Sequence, residues 1–222
     1  MNKNEIKDRK PTNTANKICG TKKGGIIVGV LALQGAFREH IAAFNKCGIE
    51  AREIKYPGQL EEIDALVIPG GESTTIYKLM EKYGFRSALE DFFKSKKPIF
   101  GTCAGLVLLS RKVIGEDFGY GFIDIVVDRN AYGRQVDSFE SSLDFLDKKN
   151  LDHDSFNAVF IRAPIIREAG KKVDILSRLN GSIVLAKEEN ILVCTFHPEL
   201  TDDLRVHRYF INMIKKYKNV KI

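Results

Sequence analysis

The sequence has no apolar run that approaches the roughly 20 consecutive apolar residues needed to cross a bilayer. Its best candidate, residues 26–33, has the length of a buried strand. No apolar stretch follows the lysine-rich start of the chain, so the pattern is not that of a secretory leader. We therefore expect a cytoplasmic protein with no membrane partner.

Excess positive charge is confined to the first residues of the chain. The formal net charge is +6, yet residues 1–25 hold seven Lys or Arg against two acidic residues, which leaves the rest almost neutral. Basic and aromatic residues are not interleaved as in single-strand binders, so no nucleic-acid partner is expected. Residues 1–25 are predicted to form a basic, disordered extension before one domain at residues 26–222. An interaction arm for an acidic partner is the alternative interpretation of this extension.

The motifs of disulfide-rich and metal-binding proteins are also missing. The four cysteines (Cys19, Cys47, Cys103 and Cys194) show no CxxC spacing, which favours reduced thiols. No HExxH motif or cysteine pair accompanies the histidines, so neither a metal nor a cofactor is expected.

What is present is an alternation of strand and helix patterns, typical of a mostly parallel sheet covered on both faces. The predicted fold class is α/β, a three-layer sandwich with a mostly parallel central sheet. Strands are expected at residues 26–33, 49–54, 65–69, 98–102, 123–127, 158–162, 173–176, 182–187 and 191–196. Helices are expected from Phe37 to before Gly48, from Ser73, and at residues 86–95, 104–110 and 202–217.

The first chemical motif is Gly-Thr-Cys-Ala-Gly at residues 101–105, between an apolar strand and an apolar helix. This is the nucleophile-elbow pattern with Cys103 in the nucleophile position. Flanking glycines let strand and helix approach closely, and the helix N-terminus favours a thiolate. The backbone N–H of Ala104 is then expected to point towards an oxyanion. A tight turn with an inert buried cysteine is the alternative.

The second motif is His197-Pro198-Glu199 at the end of an apolar strand. A cysteine nucleophile needs a base, and the base needs an orienting carboxylate. Two residues apart on an extended segment, these two side chains can project the same way. The other histidines, His40, His153 and His207, have no comparable partner in the sequence and are predicted to be structural.

The third motif is the glycine turn at residues 69–75, where Ser73 is a candidate N-cap. Free N–H groups at such a turn can bind an anion or supply an oxyanion donor. A nucleotide site is not favoured, because the segment lacks the GK[ST] ending of a P-loop.

Together these motifs resemble the class I glutamine amidotransferase family, which has a flavodoxin-like fold. Residues 30–40, 69–75, 129–140, 161–164 and 196–200 further resemble one subgroup, the glutaminase subunit of pyridoxal 5′-phosphate synthase. The resemblance covers roughly residues 26–218. It implies hydrolysis of L-glutamine to L-glutamate and ammonia. The ammonia would pass through a tunnel to a (βα)₈ synthase subunit, which builds pyridoxal 5′-phosphate from ribose 5-phosphate and glyceraldehyde 3-phosphate.

The resemblance also implies roles for individual residues. Cys103 would form a γ-glutamyl thioester, His197 would move the proton, and Glu199 would orient His197. Gly71 and Ala104 would form the oxyanion hole. The remaining glutamine contacts implied by the motifs are Gly71, Glu72, Ser73, Arg129, Ile161 and Arg162. An arginine suits the substrate carboxylate, but two exceed what one carboxylate needs, and the sequence leaves open which of them is structural.

The implied assembly contains twelve synthase and twelve glutaminase subunits, in which docking activates the glutaminase. Residues 34–40 would face the synthase subunit, and our hypothesis is that docking there moves the Gly70-Gly71 turn. Two alternatives stay open: a glutaminase serving another synthase, and a catalytically silent subunit.

Overall fold

The computed structural model describes residues 25–129, 138–151 and 154–220. Three parts of the sequence analysis lie outside these ranges: all of the predicted N-terminal extension except Gly25, residues 130–137 of the block that begins at Arg129, and His153.

The described residues form one large sheet and one two-stranded sheet. The strands are, in chain order, β1 (Ile27–Leu31), β2 (Glu50–Ile54), β3 (Ala65–Ile68), β4 (Ile99–Thr102), β5 (Ser110–Val113), β6 (Ile123–Asp128), β7 (Ser138–Leu143), β8 (Phe156–Ile161), β9 (Ile165–Ala169), β10 (Asp174–Leu179), β11 (Ser182–Glu188) and β12 (Ile191–Cys194).

The large sheet has the order β2-β1-β3-β4-β12-β11-β9-β6-β5. Strand β10 lies outside this order and pairs with β11. From β2 to β12 every pairing is parallel, whereas β11 and β9 pair antiparallel with their neighbours. Strands β7 and β8 form a separate antiparallel pair. The predicted mostly parallel central sheet is therefore confirmed. Its parallel part brings the carboxyl ends of β1, β3, β4 and β12 to one edge, where open α/β sheets place their sites.

Helices cover both faces of this sheet, which gives the expected three layers. They are α1 (Phe37–Lys46), α2 (Ser73–Lys82), α3 (Phe85–Lys94), α4 (Ala104–Leu109), α5 (Lys148–Leu151) and α6 (Arg205–Val220), with 3-10 turns at Pro57–Glu62 and Pro198–Leu200. No helix within the described ranges is both long and apolar enough to cross a membrane.

The core has two parts, one on each face of the parallel strands. Alternate residues of β3 show this division, since Val67 packs with Phe44 of α1 and Phe210 of α6. Leu66 and Ile68 instead pack with the cluster that includes α2, α3 and α4. All four residues of β3 are buried, as expected for a parallel strand covered on both faces.

Three strands, β5, β7 and β9, were not predicted. Strand β5 follows α4 without a loop and exposes two basic residues, and β9 contains Arg167 and Glu168. Strand β7 alternates exposed and half-buried residues up to Leu143. These strands are short or polar and are defined by their pairing partners, so local sequence patterns carry little signal for them.

Gly105 marks the closest approach of a helix to the parallel strands. A Cβ at this position would overlap the carbonyl oxygen of Ile68 on β3. We expect Gly105→Ala to lower the free energy of unfolding by about 1–3 kcal/mol or more, because backbone cannot move aside as a flexible side chain can.

Urea denaturation measures this difference. The matched control is Gly58→Ala, whose Cβ would meet nothing within 4 Å. It should change stability by less than about 0.5 kcal/mol. Equal effects of the two substitutions would contradict the packing argument.

Candidate active site

Cys103 lies between β4 and α4 on a sharply bent backbone, with φ 47° and ψ −100°. Such a conformation costs about 1–3 kcal/mol for a residue with a Cβ and persists only where neighbours enforce it. Here the neighbouring strand does so, since Cys103 N donates to Cys194 O on β12 at 2.9 Å. The predicted nucleophile elbow is therefore present in the backbone geometry, and α4 begins at the next residue, Ala104.

His197 and Glu199 are brought together as the motif predicts, but by a different backbone. The His197 Nδ1 and Glu199 Oε1 atoms are 2.8 Å apart, and both residues are buried. The segment is not extended, however, because Pro198–Leu200 forms a 3-10 turn. Proline at the first position of the turn matches its fixed φ, and the turn folds the carboxylate back onto the ring.

The electrostatic state of His197 follows from its two partners. Burial disfavours a charged ring, but hydrogen bonds to Cys103 and Glu199, with their negative charge, outweigh burial and raise the pKa of His197 to about 10. Burial also opposes ionisation of Glu199, yet His40 and His197 keep the pKa of this carboxyl below its usual value. The arrangement therefore favours an imidazolium held between a carboxylate and the cysteine.

Two cavities open beside Cys103 and share part of their walls. The larger, of about 500 Å³, is lined by Gly71, Glu72, Cys103, Ser138, Ile161, Arg162 and His197. The smaller, of about 260 Å³, is lined by Gly71, Glu72, Ser73, Cys103, Ala104, Val107, Arg129, Arg162 and Pro164. With the exception of Glu199, which lies behind His197, all residues predicted for catalysis, the oxyanion hole and glutamine binding border one or both cavities.

The strand β8 contributes to the larger cavity from outside the central sheet. Its last residue, Ile161, presents a carbonyl oxygen 3.7 Å from Cys103 Sγ. The next residue, Arg162, has a positive φ of 44°. This turn directs the chain along the cavity wall, where Arg162 lines both cavities.

The glycine turn is held from both sides. Gly70 N donates to Thr102 Oγ1 at 2.9 Å, and Gly70 O accepts from Ala36 N at 3.0 Å. The next peptide is fixed by Gln34, whose Oε1 accepts from Glu72 N at 2.9 Å. Residues 34–36 thus contact the glycine turn directly, next to Cys103.

The sequence analysis named Ser73 as the candidate N-cap of α2, but the N-cap in the structure is Glu72. The Glu72 carboxylate accepts from the backbone N–H groups of Thr74 and Thr75. Although burial opposes it, the hydrogen bonds from Thr75 and Thr74 lower the pKa of Glu72. Each of the two carboxylate oxygens accepts from one of these orphan N–H groups.

Arg129 is anchored on the far side of the smaller cavity. Its guanidinium contacts Glu116 Oε1 at 2.5 Å, Thr74 Oγ1 at 2.6 Å and Ser73 Oγ at 3.3 Å. These contacts fix the guanidinium plane against the start of α2. Its Nε atom is buried and has no hydrogen-bond partner among the described residues.

A second layer of buried polar side chains behind the triad was missed by the sequence analysis. His40, His207 and Thr102 are all buried, and His40 Nε2 lies 3.3 Å from Glu199 Oε2. The prediction that His40 has no comparable partner is therefore wrong. The sequence gives little indication of this contact, because a histidine on the apolar face of a helix looks the same whether it packs in the core or bonds to a site residue. In the described part of the chain, no cluster of His, Cys, Asp or Glu could hold a metal ion.

His197 is expected to stay protonated across the neutral range and to lose its proton only near pH 10. In Glu199→Gln the ring keeps its burial but loses a negative charge, so its pKa should fall towards or below the usual 6.5. Titration of the ring carbons and protons by NMR in labelled protein measures both values. Burial holds the pKa of His207 at about 3, so this ring serves as an internal control that does not titrate. A wild-type His197 that titrates near 6.5 would contradict this account.

Comparison with known proteins agrees with this geometry. The model of the SNO glutamine amidotransferase family matches residues 30–216. The chain is 50% identical over 194 residues to the pyridoxal 5′-phosphate synthase subunit PdxT of Bacillus licheniformis, across 87% of this chain and 97% of that protein. Identity to PdxT of Shouchella clausii is 53% over 188 residues, across 84% and 94% of the two chains.

A solved structure described as a glutamine amidotransferase superposes with a TM-score of 0.79 at 45% identity, covering 85% of this chain and 98% of that one. The family match at residues 30–216 includes both the elbow at Cys103 and the His-Pro-Glu turn. From the family model, the relatives and the shared fold, we conclude that this chain belongs to the SNO glutamine amidotransferase family.

Proposed function

We propose that this chain is the glutaminase subunit of a pyridoxal 5′-phosphate synthase, which hydrolyses L-glutamine to L-glutamate and supplies the ammonia to a synthase subunit. The observation that carries the proposal is the Cys103–His197–Glu199 array at the wall of a cavity large enough for an amino acid. The relatives that match this chain over most of their length are named as pyridoxal 5′-phosphate synthase subunits.

In the proposed reaction, the Cys103 thiolate attacks the carboxamide carbon of glutamine and forms a C–S bond. The negative charge moves to the amide oxygen, where the N–H groups of Gly71 and Ala104 would stabilise it. His197 donates its proton to the leaving nitrogen, and the C–N bond breaks to give ammonia and a γ-glutamyl thioester. Water then attacks the thioester while His197 accepts its proton, and the sulfur leaves as glutamate is released.

The α-carboxylate of glutamine would lie away from Cys103, in the smaller cavity beside Arg129 and Arg162. The Glu72 carboxylate is engaged as the cap of α2, so it would contribute to binding chiefly by fixing the turn that holds Gly71 and Ser73. The backbone of Ile161 would form the opposite wall.

The proposed partner is a synthase subunit, and we propose that it is a (βα)₈ barrel in an assembly of twelve plus twelve subunits in the cytoplasm. Residues 34–40 would form part of the docking surface. Their contacts support a role in activation, since Ala36 N bonds to Gly70 O and Gln34 Oε1 accepts from Glu72 N. A shift of this segment would move the glycine turn and the Gly71 N–H with it. The barrel would use ribose 5-phosphate and glyceraldehyde 3-phosphate, with ammonia arriving through a protein tunnel.

The first test is glutamate release from glutamine by the purified chain, alone and with the synthase subunit from the same source. We expect strong release only with the synthase subunit, and loss of release in Cys103→Ala because the thiolate is the nucleophile. Equal rates with and without the partner would refute activation by docking. No release under either condition would refute the proposed function and favour a catalytically silent subunit.

The second test concerns the substrate carboxylate. We expect Arg129→Lys or Arg162→Lys to raise KM for glutamine about tenfold, with a smaller change in kcat, because lysine cannot form a bidentate contact with a carboxylate. Steady-state kinetics of the complex measure the two constants. The control is Arg111→Lys, on β5, where the arginine pairs with Asp124 away from both cavities. An unchanged KM in both test variants would show that the carboxylate binds elsewhere.

A further inference from the structure

A row of buried side chains extends from the catalytic triad into the core between α1 and α6. His40 of α1 is fully buried and occupies the centre of this row. Its Nε2 atom lies 3.1 Å from Thr102 Oγ1 and 3.3 Å from Glu199 Oε2. Its Nδ1 atom lies 3.1 Å from His207 Nε2. The imidazole therefore contacts the triad carboxylate, the last residue of β4 and a second histidine at once.

The positions of the protons follow from what each partner can offer. An ionised carboxylate only accepts, so His40 Nε2 carries the ring hydrogen, which bonds to Thr102 Oγ1 and lies close to Glu199 Oε2, 3.3 Å from Nε2. His40 Nδ1 is then an acceptor, which His207 Nε2–H satisfies. His207 Nδ1 is left without a hydrogen, and this buried atom has no partner among the described residues. Burial lowers the pKa of His40 and of His207, so both rings are neutral in this arrangement.

Thr102 connects His40 to the glycine turn. Its Oγ1 accepts from Gly70 N at 2.9 Å, while Gly70 O accepts from Ala36 N just before α1. The His197 ring lies against Gly70, in the space that a Cβ would fill. Both peptide groups of Gly70 are thus linked to α1, one directly and one through Thr102 and His40.

We propose that His40 is a positioning residue, which holds the second oxygen of Glu199 and, through Thr102, the Gly70 turn, so that α1 sets the orientation of the base and the shape of the turn together. This inference rests on the proposed glutaminase function. Its physical basis is that Oε1 of Glu199 is bonded to His197, whereas Oε2 is buried without a hydrogen-bond partner among the described residues and faces His40 Nε2 from 3.3 Å. Without that donor, the carboxylate would rotate towards water or another partner at the expense of its bond to His197.

A shift of α1 would displace both the Glu199 carboxylate and the Gly70 turn. The titratable groups packed around Glu199 are His40 from α1, His197 from its own turn, Cys194 from β12 and His207 from α6. Of these, only His40 belongs to α1, whose first residues are part of the proposed docking segment at residues 34–40. Movement of that segment therefore reaches the carboxylate through one side chain.

The test compares three variants in complex with the synthase subunit. His40→Leu removes the donor, His40→Gln keeps an N–H at similar reach, and Phe44→Leu perturbs a buried apolar residue on the same helix. We expect His40→Leu to lower kcat by about 10-fold to 100-fold, as a misplaced base does, with KM within about twofold. The acid limb of the kcat/KM profile should move to higher pH, because the buried carboxyl loses the group that favours its charged form.

His40→Gln should recover most of kcat and the wild-type acid limb, and Phe44→Leu should change neither, although both lower stability. If His40→Leu and Phe44→Leu lower kcat equally, or if His40→Gln is no better than His40→Leu, then His40 only packs the core and the proposal is wrong.

A second measurement separates this inference from the proposed function. The rate of Cys103 alkylation by iodoacetamide in the isolated full chain, followed by peptide mass spectrometry, depends on the triad but not on glutamine or a partner. We expect His40→Leu to slow it about tenfold, while His40→Gln and Phe44→Leu stay close to wild type. If the wild type hydrolyses no glutamine but alkylation follows this order, the function is refuted and the role of His40 stands. Equal alkylation rates in all four proteins would overturn the role of His40.

Discussion

The strained backbone at Cys103 is the constraint on which the rest of the site depends. A residue with a Cβ stays in this conformation because β4 is enclosed between two parallel neighbours. On one side Gly105 packs against the backbone of Ile68, and on the other Cys103 N bonds to Cys194 O. The parallel register that aligns Cys194 with Thr102 also brings His197 out at the same edge as the thiol. Strand pairing therefore brings His197 close to Cys103, and the hydrogen bond between the two side chains joins them.

Sequence patterns predicted those features of the structure that depend on residues close together in the sequence. Strand β4 and the elbow at Cys103 are marked by an apolar run followed by flanking glycines, and both lie where they were predicted. The pairing of His197 with Glu199 was also predicted correctly, although from an extended backbone that Pro198 turns into a 3-10 helix. What the sequence could not reveal was His40, whose partners Thr102 and His207 lie 62 and 167 residues away. Only the packing of α1 and α6 on the same face of the sheet brings these side chains together.

Two neighbouring cysteines have different surroundings within the same interior. Cys194, on β12, is fully buried, and burial followed by the charge of Glu199 raises the pKa of its thiol well above the usual value. Cys103, at the end of the adjacent strand, instead borders a cavity and hydrogen-bonds to a histidine whose own pKa is raised. The difference arises from position, since Cys194 belongs to β12, whereas Cys103 follows the end of the neighbouring β4 where the cavity opens. The electrostatics of the site thus follow from its topology.

The place of β12 in the sheet also determines the order in which the molecule can be completed during synthesis. Its residues come late in the sequence, yet it lies between β4 and β11 in the middle of the sheet. A nascent chain that ends before residue 191 has Cys103 but lacks the strand that holds its backbone and the histidine that hydrogen-bonds to it. The bent turn at Cys103 and its contact with His197 consequently form in the final stage of folding, once long-range pairing has closed the sheet. Partly made chains therefore lack the assembled Cys103–His197 pair until the cavity beside it exists.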